Sequence, residues 1–590
     1  MAESLLKDNT LSPTAIAEDW LGRIEAAFKA EDPSAVSALF STQGCWRDLL
    51  SLSWNFRSLD GPAAIKDYLG GEVEGNTITN ITLVGEATLT TVSPELSWIQ
   101  AIFGFETSVA RGRGVARLVQ DPETKKWLAF TFYTGIEALR GHEPRADDIY
   151  PDDAYSEEQQ CKLGSAANFD APEDQNPDVV IVGGGQAGLT IAARFAKLDV
   201  NALVIENNPR IGDNWRNRYD TLVLHEPIYY DHLPYLPFPE TWPFNTNKDR
   251  FGNWLELYAR ALKLNIWTST SLSGQPKYDE AAKQWTVAVT RPDGSVKTLH
   301  PKHIVMATGV FGQGVTPAIQ GSEDFRGSII HSSEFKSGRD YVDKKVLVIG
   351  VGTSGVDIAK DLYDKGAHPT LIQRSSSIVL SSSALVNVYS KGMWDGTGPH
   401  TEIADLLQNS FPLPLMLKFQ TGRAQAAREY DAAMLEGLAK AVFALDDGPD
   451  GGGIIAKVFK VGPSGYYIDV GAASLIIDGK IKIKQGQEVH HLEENAAIFP
   501  DGSRLDADAI ILATGYKDIK DTVAKVFGED VAAGTSPAWG LDDEGEVKGL
   551  ARPTGHPGLW FHAGNIAMCR FYSTHLALQI KARLVGLVGE

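Results

Sequence analysis

Cysteine is nearly absent. The 590 residues contain three, Cys45, Cys161 and Cys569, too far apart to form a CxxC pair. That excludes a dithiol redox relay, leaves no Cys/His cluster at zinc spacing, and fits a reducing compartment. No metal site is expected. Positive charge is also short, with 55 Lys and Arg against 75 Asp and Glu and a net charge of -20. Nucleic acid is therefore not an expected partner, since phosphate binding needs clustered cations. No run of eighteen apolar residues occurs, so no transmembrane anchoring is expected. The opening "MAESLLKDNTLSPTAIAEDW" lacks the basic start, apolar core and small-residue cleavage site of a secretory signal. With 43% hydrophobic and 22% charged residues, the composition is that of a globular protein, and the expected location is cytoplasmic.

The length implies about two to four domains. Residues 12–67 space their apolar side chains three and four apart and read as helical. The period then changes. "ITNITLVGEATLTTV", "SWIQAIFGFETSVARGRGVARLVQD" and "KWLAFTFYTGIE" read as long strands, with "DPETKKW" a hairpin turn before the last. Helices followed by a meander predict an α+β unit over 1–140. The acidic, Pro-rich stretch 141–177 reads as a linker. From 178 onward the pattern is that of a doubly wound α/β protein: a first dinucleotide unit over 178–335 and a second over 336–381. The segment 382–465 interrupts it with a helix, "GRAQAAREYDAAMLEGLAKAVFAL", and a Gly-rich tip, and is expected to cap a pocket. Residues 466–590 return to both units.

Two glycine turns carry the chemistry. In "DVVIVGGGQAGLTIAARFAKLDVNALVIE" an apolar strand runs into Gly183, Gly185 and Gly188, then an Ala-rich helix, then a strand ending in Glu206. The first glycine makes the turn, the second admits a pyrophosphate, and the third lets helix pack on strand. Gln186 and Ala187 open the helix, whose free N–H groups favour an anion. Glu206 is spaced to accept from a ribose hydroxyl. "KKVLVIGVGTSGVDIAKDLYDKGAHPTLIQRS" repeats the device with Gly350, Gly352, Thr353, Ser354 and Gly355. Here Arg374 stands where an acid would repel a 2′-phosphate, and a guanidinium can hold one. A solvated charge after a strand is the plain alternative for Arg374. The first site suits FAD, the second NADPH. Two strands, "HIVMATGV" and "AIILATGY", each end in Ala-Thr-Gly. They place Thr308, Gly309, Thr514 and Gly515 at close chain crossings.

These motifs, with the "GDNW" turn at 212–215 and the Phe-x-Gly-x-x-x-His-x-x-x-Phe stretch from Phe325 to Phe335, resemble the flavin-containing monooxygenase family over about residues 178–590. The resemblance implies a two-dinucleotide flavoprotein that binds FAD and NADPH. It also implies a flavin peroxide formed with O2 and one oxygen atom passed to a small organic substrate. Baeyer–Villiger relatives end the fingerprint in Trp followed by Pro or Asp, whereas this chain has Phe335 and Lys336. That favours a soft N or S nucleophile, or an aromatic 2-oxo acid undergoing oxidative decarboxylation. Ketone insertion, or NADPH oxidation without oxygen transfer, is the alternative. The resemblance places Gly212 and Trp215 near the flavin, although Trp215 suits an ordinary core equally. His331 either fixes the link between the nucleotide units or acts directly. Many members place an Asn after "RY"; here "RYDTLVLHEP", similar to the plant auxin-forming branch, offers His225 as substitute catalytic residue or as a satisfied loop polar group. Residues 1–140 resemble an NTF2-like (SnoaL-like) cone through "GCWRDLLSLSWNFRSLDGPAAIKDYL"; the resemblance implies a structural role or a homodimer interface, with ligand binding or acid–base work, for which Asp48 and Arg47 are the candidates, as the alternative.

Overall fold

The computed structural model describes residues 12–71, 73, 76–145, 176–310 and 312–589. Most of the expected linker, and Cys161, lie outside the described residues.

Helix Pro13–Lys29 begins where Ser12 accepts the Ala15 N–H and Pro13 supplies a ready-made φ. Its apolar face buries Ile16, Trp20, Leu21, Ile24 and Phe28 against a six-stranded sheet. The strand order is Phe56–Asp60, Phe40–Leu49, Trp127–Leu139, Ala110–Gln120, Leu96–Glu106, Thr79–Ser93. Edge-on aromatic packing joins helix to sheet: Trp20 to Phe132 at 5.6 Å and Phe28 to Trp46 at 5.8 Å. Register shifts in several strand pairs insert bulges that bend the sheet.

Residues 40–60 depart from the helical expectation, because Phe40–Leu49 and Phe56–Asp60 are strands. Phe40–Leu49 pairs in parallel with Trp127–Leu139. Partners that distant leave no trace in local spacing. The long expected strand at 97–121 is a hairpin, turned at 107–109.

Two five-stranded parallel sheets form the rest of the scaffold. The first is ordered Leu559–Phe561, His303–Met306, Val179–Val182, Ala202–Ile205, Ile266–Trp267; the second Ser328–His331, Ala509–Leu512, Lys345–Ile349, His368–Gln373, Lys482–Gln485. Both faces of such sheets are covered, hence the unbroken apolar runs "VVIV", "ALVI" and "AIIL". The middle strand of each sheet runs into a glycine turn and then a helix, Gln186–Lys197 or Thr353–Asp364. Ser328–His331, expected in the first unit, pairs with Ala509–Leu512 in the second, so the changeover falls before residue 336. Four residues are too short a run to show which sheet they will join.

The segment between the units is pinned at its base by Ile378–Ser381 pairing in parallel with Tyr466–Asp469. Its expected single helix is two, Leu413–Tyr430 and Ala432–Lys440. At the break, Asp431 accepts from the Ser381 N–H and hydroxyl at 2.8 and 2.6 Å. No helix among the described residues is long and apolar enough to cross a membrane.

Candidate active site

At the first glycine turn the backbone itself leaves no room for side chains. Gly183 has φ 109°, and a Cβ there would lie 2.7 Å from the Ala307 carbonyl oxygen. A Cβ on Gly188 would lie 1.8 Å from the Gly183 oxygen, so helix and strand touch directly. Gly183 donates its N–H to the Ile205 carbonyl, which brings the next residue, Glu206, beneath the turn. One Glu206 carboxylate oxygen accepts the Gly184 N–H at 2.7 Å. The other accepts both the backbone and side-chain N–H of Asn208, also at 2.7 Å. The acid therefore braces the turn as well as facing the space beside it.

That space is a cavity of about 1090 Å³, larger than the usual 300–1,000 Å³ range for one small ligand. Gly183, Gly185, Gln186 and Glu206 line one end, with Trp215, Thr308 and Gly309 beside them. Trp215 donates to Gln186 Oε1 at 3.2 Å and packs edge-on against Phe251 at 5.0 Å. Gly212, at φ 89°, lets its loop press against Gly252, whose oxygen a Cβ would meet at 2.1 Å. Thr308 Oγ1 is buried with no partner among the described residues, as expected of a hydroxyl that serves a bound ligand. Helix Ile566–Leu584 also points its N-terminus here: Gly564, Asn565 and Met568 line the wall, and Asn565 caps the helix by accepting the Met568 N–H. Sequence reasoning missed this third anion-favouring end, although Gly-Asn before a helical run was its signal. The residues present fit a dinucleotide: a glycine cradle, a ribose acceptor, an orphaned hydroxyl and a helix dipole.

Much of the remaining lining comes from the interrupting segment, alongside residues such as Tyr230, Thr522, Lys525 and Trp539. The segment contributes Tyr389, Trp394, Asp405, Asn409, Gln420 and Arg423. Trp394 Nε1 and Gln420 Oε1 are buried without partners among the described residues. Arg423, which stays solvent-exposed, has no ion-pair partner there either, and partial desolvation lowers its pKa. Sequence patterning did not single out these residues, because nothing close along the chain distinguishes them from side chains that face solvent.

The second turn is built alike. Gly350 has φ 113°, and a Cβ on Gly355 would lie 2.2 Å from the Gly350 oxygen. The nearest atom to a Gly352 Cβ is 3.8 Å away, so that face is open. Thr353 donates to the Tyr466 carbonyl at 3.3 Å, and Ser354 follows in the first helical turn. Gly350 donates to the Ile372 carbonyl, two residues before Arg374. Arg374 is an exposed guanidinium 3.5 Å from Glu488. Tyr466 lines the large cavity, whereas the three glycines, Thr353, Ser354 and Arg374 do not.

The two histidines lie at joints. His331 ends its strand with Nδ1 2.8 Å from Ser333 Oγ and Nε2 3.1 Å from the Gly515 carbonyl. Its ring packs edge-on to Tyr516 at 5.1 Å, and Gly314 has no Cβ because the ring fills that place. Thr514 donates to the Val315 carbonyl at 2.5 Å. Phe325 and Phe335 are both buried, one on each side of this clasp. His225 faces Asp357, on the helix after the second turn, at 3.2 Å but outside hydrogen-bonding alignment. Tyr219 donates to the same carboxylate at 2.7 Å. Burial opposes charge on His225, but Asp357, with Glu226 and Asp469 behind it, overcomes this and raises its pKa.

Residues 180–390 match the family model described as pyridine nucleotide-disulphide oxidoreductase. A probable indole-3-pyruvate monooxygenase of Arabidopsis thaliana, YUCCA4, is 33% identical over 58% of this chain and 76% of its own length. The indole-3-pyruvate monooxygenase YUCCA1 of Oryza sativa subsp. japonica is 33% identical over 58% of this chain and 77% of its own. The fold is similar to that of cyclohexanone monooxygenase bound to ε-caprolactone, with TM-score 0.50 and 14% identity, over 70% of this chain and 88% of that one. The chain belongs to the flavin-dependent monooxygenase family, and is an enzyme that uses FAD and NADPH to insert oxygen into a small organic substrate.

Proposed function

We propose that the cavity oxygenates an aromatic 2-oxo acid. The observation that carries this is the cap wall: aromatic surfaces from Tyr389, Trp394 and Tyr466, beside an arginine, Arg423, that has no carboxylate of its own. A planar guanidinium without an internal partner suits a substrate carboxylate. The unpaired Gln420 Oε1 and Trp394 Nε1 suit further polar atoms of the ligand. The relatives named for indole-3-pyruvate support the same reading.

In this reading the Gly183–Gly188 turn and the Ile566–Leu584 helix hold the FAD pyrophosphate, Glu206 its ribose, and Thr308 and Trp215 the flavin end. The Gly350–Gly355 turn and Arg374 hold NADPH. Bound FAD, once reduced, supplies the oxygen-activating chemistry. The cap excludes water from the cavity, and Arg423 turns the substrate carboxylate toward it. His331 and His225 act as positioning residues, one clasping the return strand, the other bracing the helix of the second turn. The overall reaction balances as 2-oxo acid, O2, NADPH and a proton giving the one-carbon-shorter acid, carbon dioxide, water and NADP⁺. The N-terminal unit, a helix on a bent six-stranded sheet, is NTF2-like in build.

The test is product analysis with indole-3-pyruvate, cyclohexanone and a thioether under NADPH and O2. Indole-3-acetate formed in step with carbon dioxide and NADPH consumed is the expected result. A lactone or sulfoxide, with only hydrogen peroxide from the oxo acid, refutes the reading.

A further inference from the structure

The N-terminal sheet carries its own helix on one face. On the other it buries two arginines, Arg47 and Arg117, exposed by 0% and 1%. Both reach out of their unit. Arg47 Nε and Nη2 each meet a Glu546 carboxylate oxygen at 2.7 Å. Its Nη1 donates to the Asn409 carbonyl at 2.5 Å, and Nη2 also to the Tyr572 hydroxyl at 3.1 Å. Ser58 donates to Glu546 at 2.6 Å. Arg117 has no carboxylate partner among the described residues. It donates to Ser410 Oγ at 2.9 Å, the Leu407 carbonyl at 3.0 Å and Gln100 Oε1 at 3.0 Å. Its guanidinium lies over the Phe411 ring at 3.7 Å.

Three of these acceptors, the Leu407 and Asn409 carbonyls and Ser410 Oγ, lie at one place, the C-terminal end of cap helix Thr401–Asn409. A helix ends with carbonyls that lack intrahelical partners, and cations are favoured there. The same helical turn lines the cavity through Asp405, Gln408 and Asn409, as does Tyr572. Arg570 grips Asp405 from the opposite side with a bidentate pair at 2.6 and 2.7 Å. If this face only had to dock, apolar side chains would serve as well or better than buried charge. Directional bonds to named carbonyls instead fix where the helix end lies.

We infer that Arg47 and Arg117 are positioning residues through which the N-terminal unit sets the cap wall of the active-site cavity, and with it substrate affinity and the coupling of NADPH use to oxygen transfer. The inference rests on reading that cavity as the site of oxygenation.

Full-length flavin-loaded Arg117→Ala, Arg117→Lys and Ser410→Ala decide it, with indole-3-pyruvate as probe. For Arg117→Ala, flavin content and the anaerobic rate of reduction by NADPH stay at the parent value. KM for the probe rises about tenfold, the effect of one hydrogen bond's worth of positioning, and peroxide released per NADPH rises. Amide hydrogen exchange across 401–411 quickens. Arg117→Lys restores part of each change. A folded Arg117→Ala protein with parental KM, coupling and exchange overturns the inference. If Arg117→Ala does not fold, Ser410→Ala removes one contact alone; a smaller shift in the same direction supports the inference and no shift overturns it. If the parent protein does not turn over indole-3-pyruvate, the substrate reading fails, while exchange across 401–411, which needs no substrate, still decides the positioning role.

Discussion

Replacing Glu206 by alanine removes the brace under the first glycine turn. The carboxylate accepts the backbone N–H groups of Gly184 and Asn208, each at 2.7 Å, and both donors lose their partner. A buried donor left unpaired costs about 1–3 kcal/mol, so two set a ceiling of about 6 kcal/mol by the same measure. Water entering the cavity offsets part of that. A loss of about 2–4 kcal/mol corresponds to flavin binding about 30- to 1,000-fold weaker, before the ribose contact is counted. The assay is flavin retained per protein after gel filtration, followed by titration of the apoprotein with FAD. Glu206→Gln keeps an acceptor for one of the two donors and falls between parent and alanine variant. Glu206→Ala protein that purifies fully loaded, with unchanged FAD affinity, refutes both the brace and the ribose assignment.

Two further outcomes follow from the second nucleotide unit. Arg374→Ala weakens NADPH by about 10- to 100-fold, the loss of charge-assisted bonds to a phosphate, and leaves NADH unchanged. Its exposed pairing with Glu488 contributes little that the variant could lose, so equal loss of both cofactors in steady-state kinetics counts against the assignment. His225, whose pKa is raised beside Asp357, lends stability that is complete below about pH 6.5, its unfolded value. That stability fades as pH rises through the higher folded value, at about 1.4 kcal/mol per unit of rise. His225→Gln should flatten this part of the melting-temperature profile, and parallel profiles for the two proteins exclude the ion pair.

The glycine turns were legible because their information is local. Gly183 and Gly188 must have no side chain for strand, turn and helix to touch, with Gly185 between them on the cavity wall, and Glu206 follows at the end of the next strand because a βαβ unit has a narrow range of lengths. Gly350 and Gly355 repeat that contact, Gly352 leaves its face of the turn open, and Arg374 follows the second strand of its unit as Glu206 follows that of the first. The residues of the cap wall were not legible. Gln420 and Arg423 lie on a helix whose polar residues look ordinary until the rest of the chain buries Gln420 and sets both beside the cavity. Asp431 breaks that helix to serve Ser381, fifty residues earlier, a demand that helical periodicity does not record. The strand Phe40–Leu49 was misread for a similar reason, since its parallel neighbour is Trp127–Leu139.

The sequence alone determined the two strand–glycine-turn–helix units, the absence of a CxxC dithiol and the acid-versus-arginine difference between the two turns, because each is set by residues close along the chain. Tertiary structure decided what the units enclose. It placed His331 against Gly515 as a clasp, joined Ser328–His331 to the second sheet, and brought Arg47 to Glu546 across 499 positions. Such contacts depend on packing and desolvation among distant segments, so a buried arginine on a strand becomes interpretable only when the carbonyls it holds are in view.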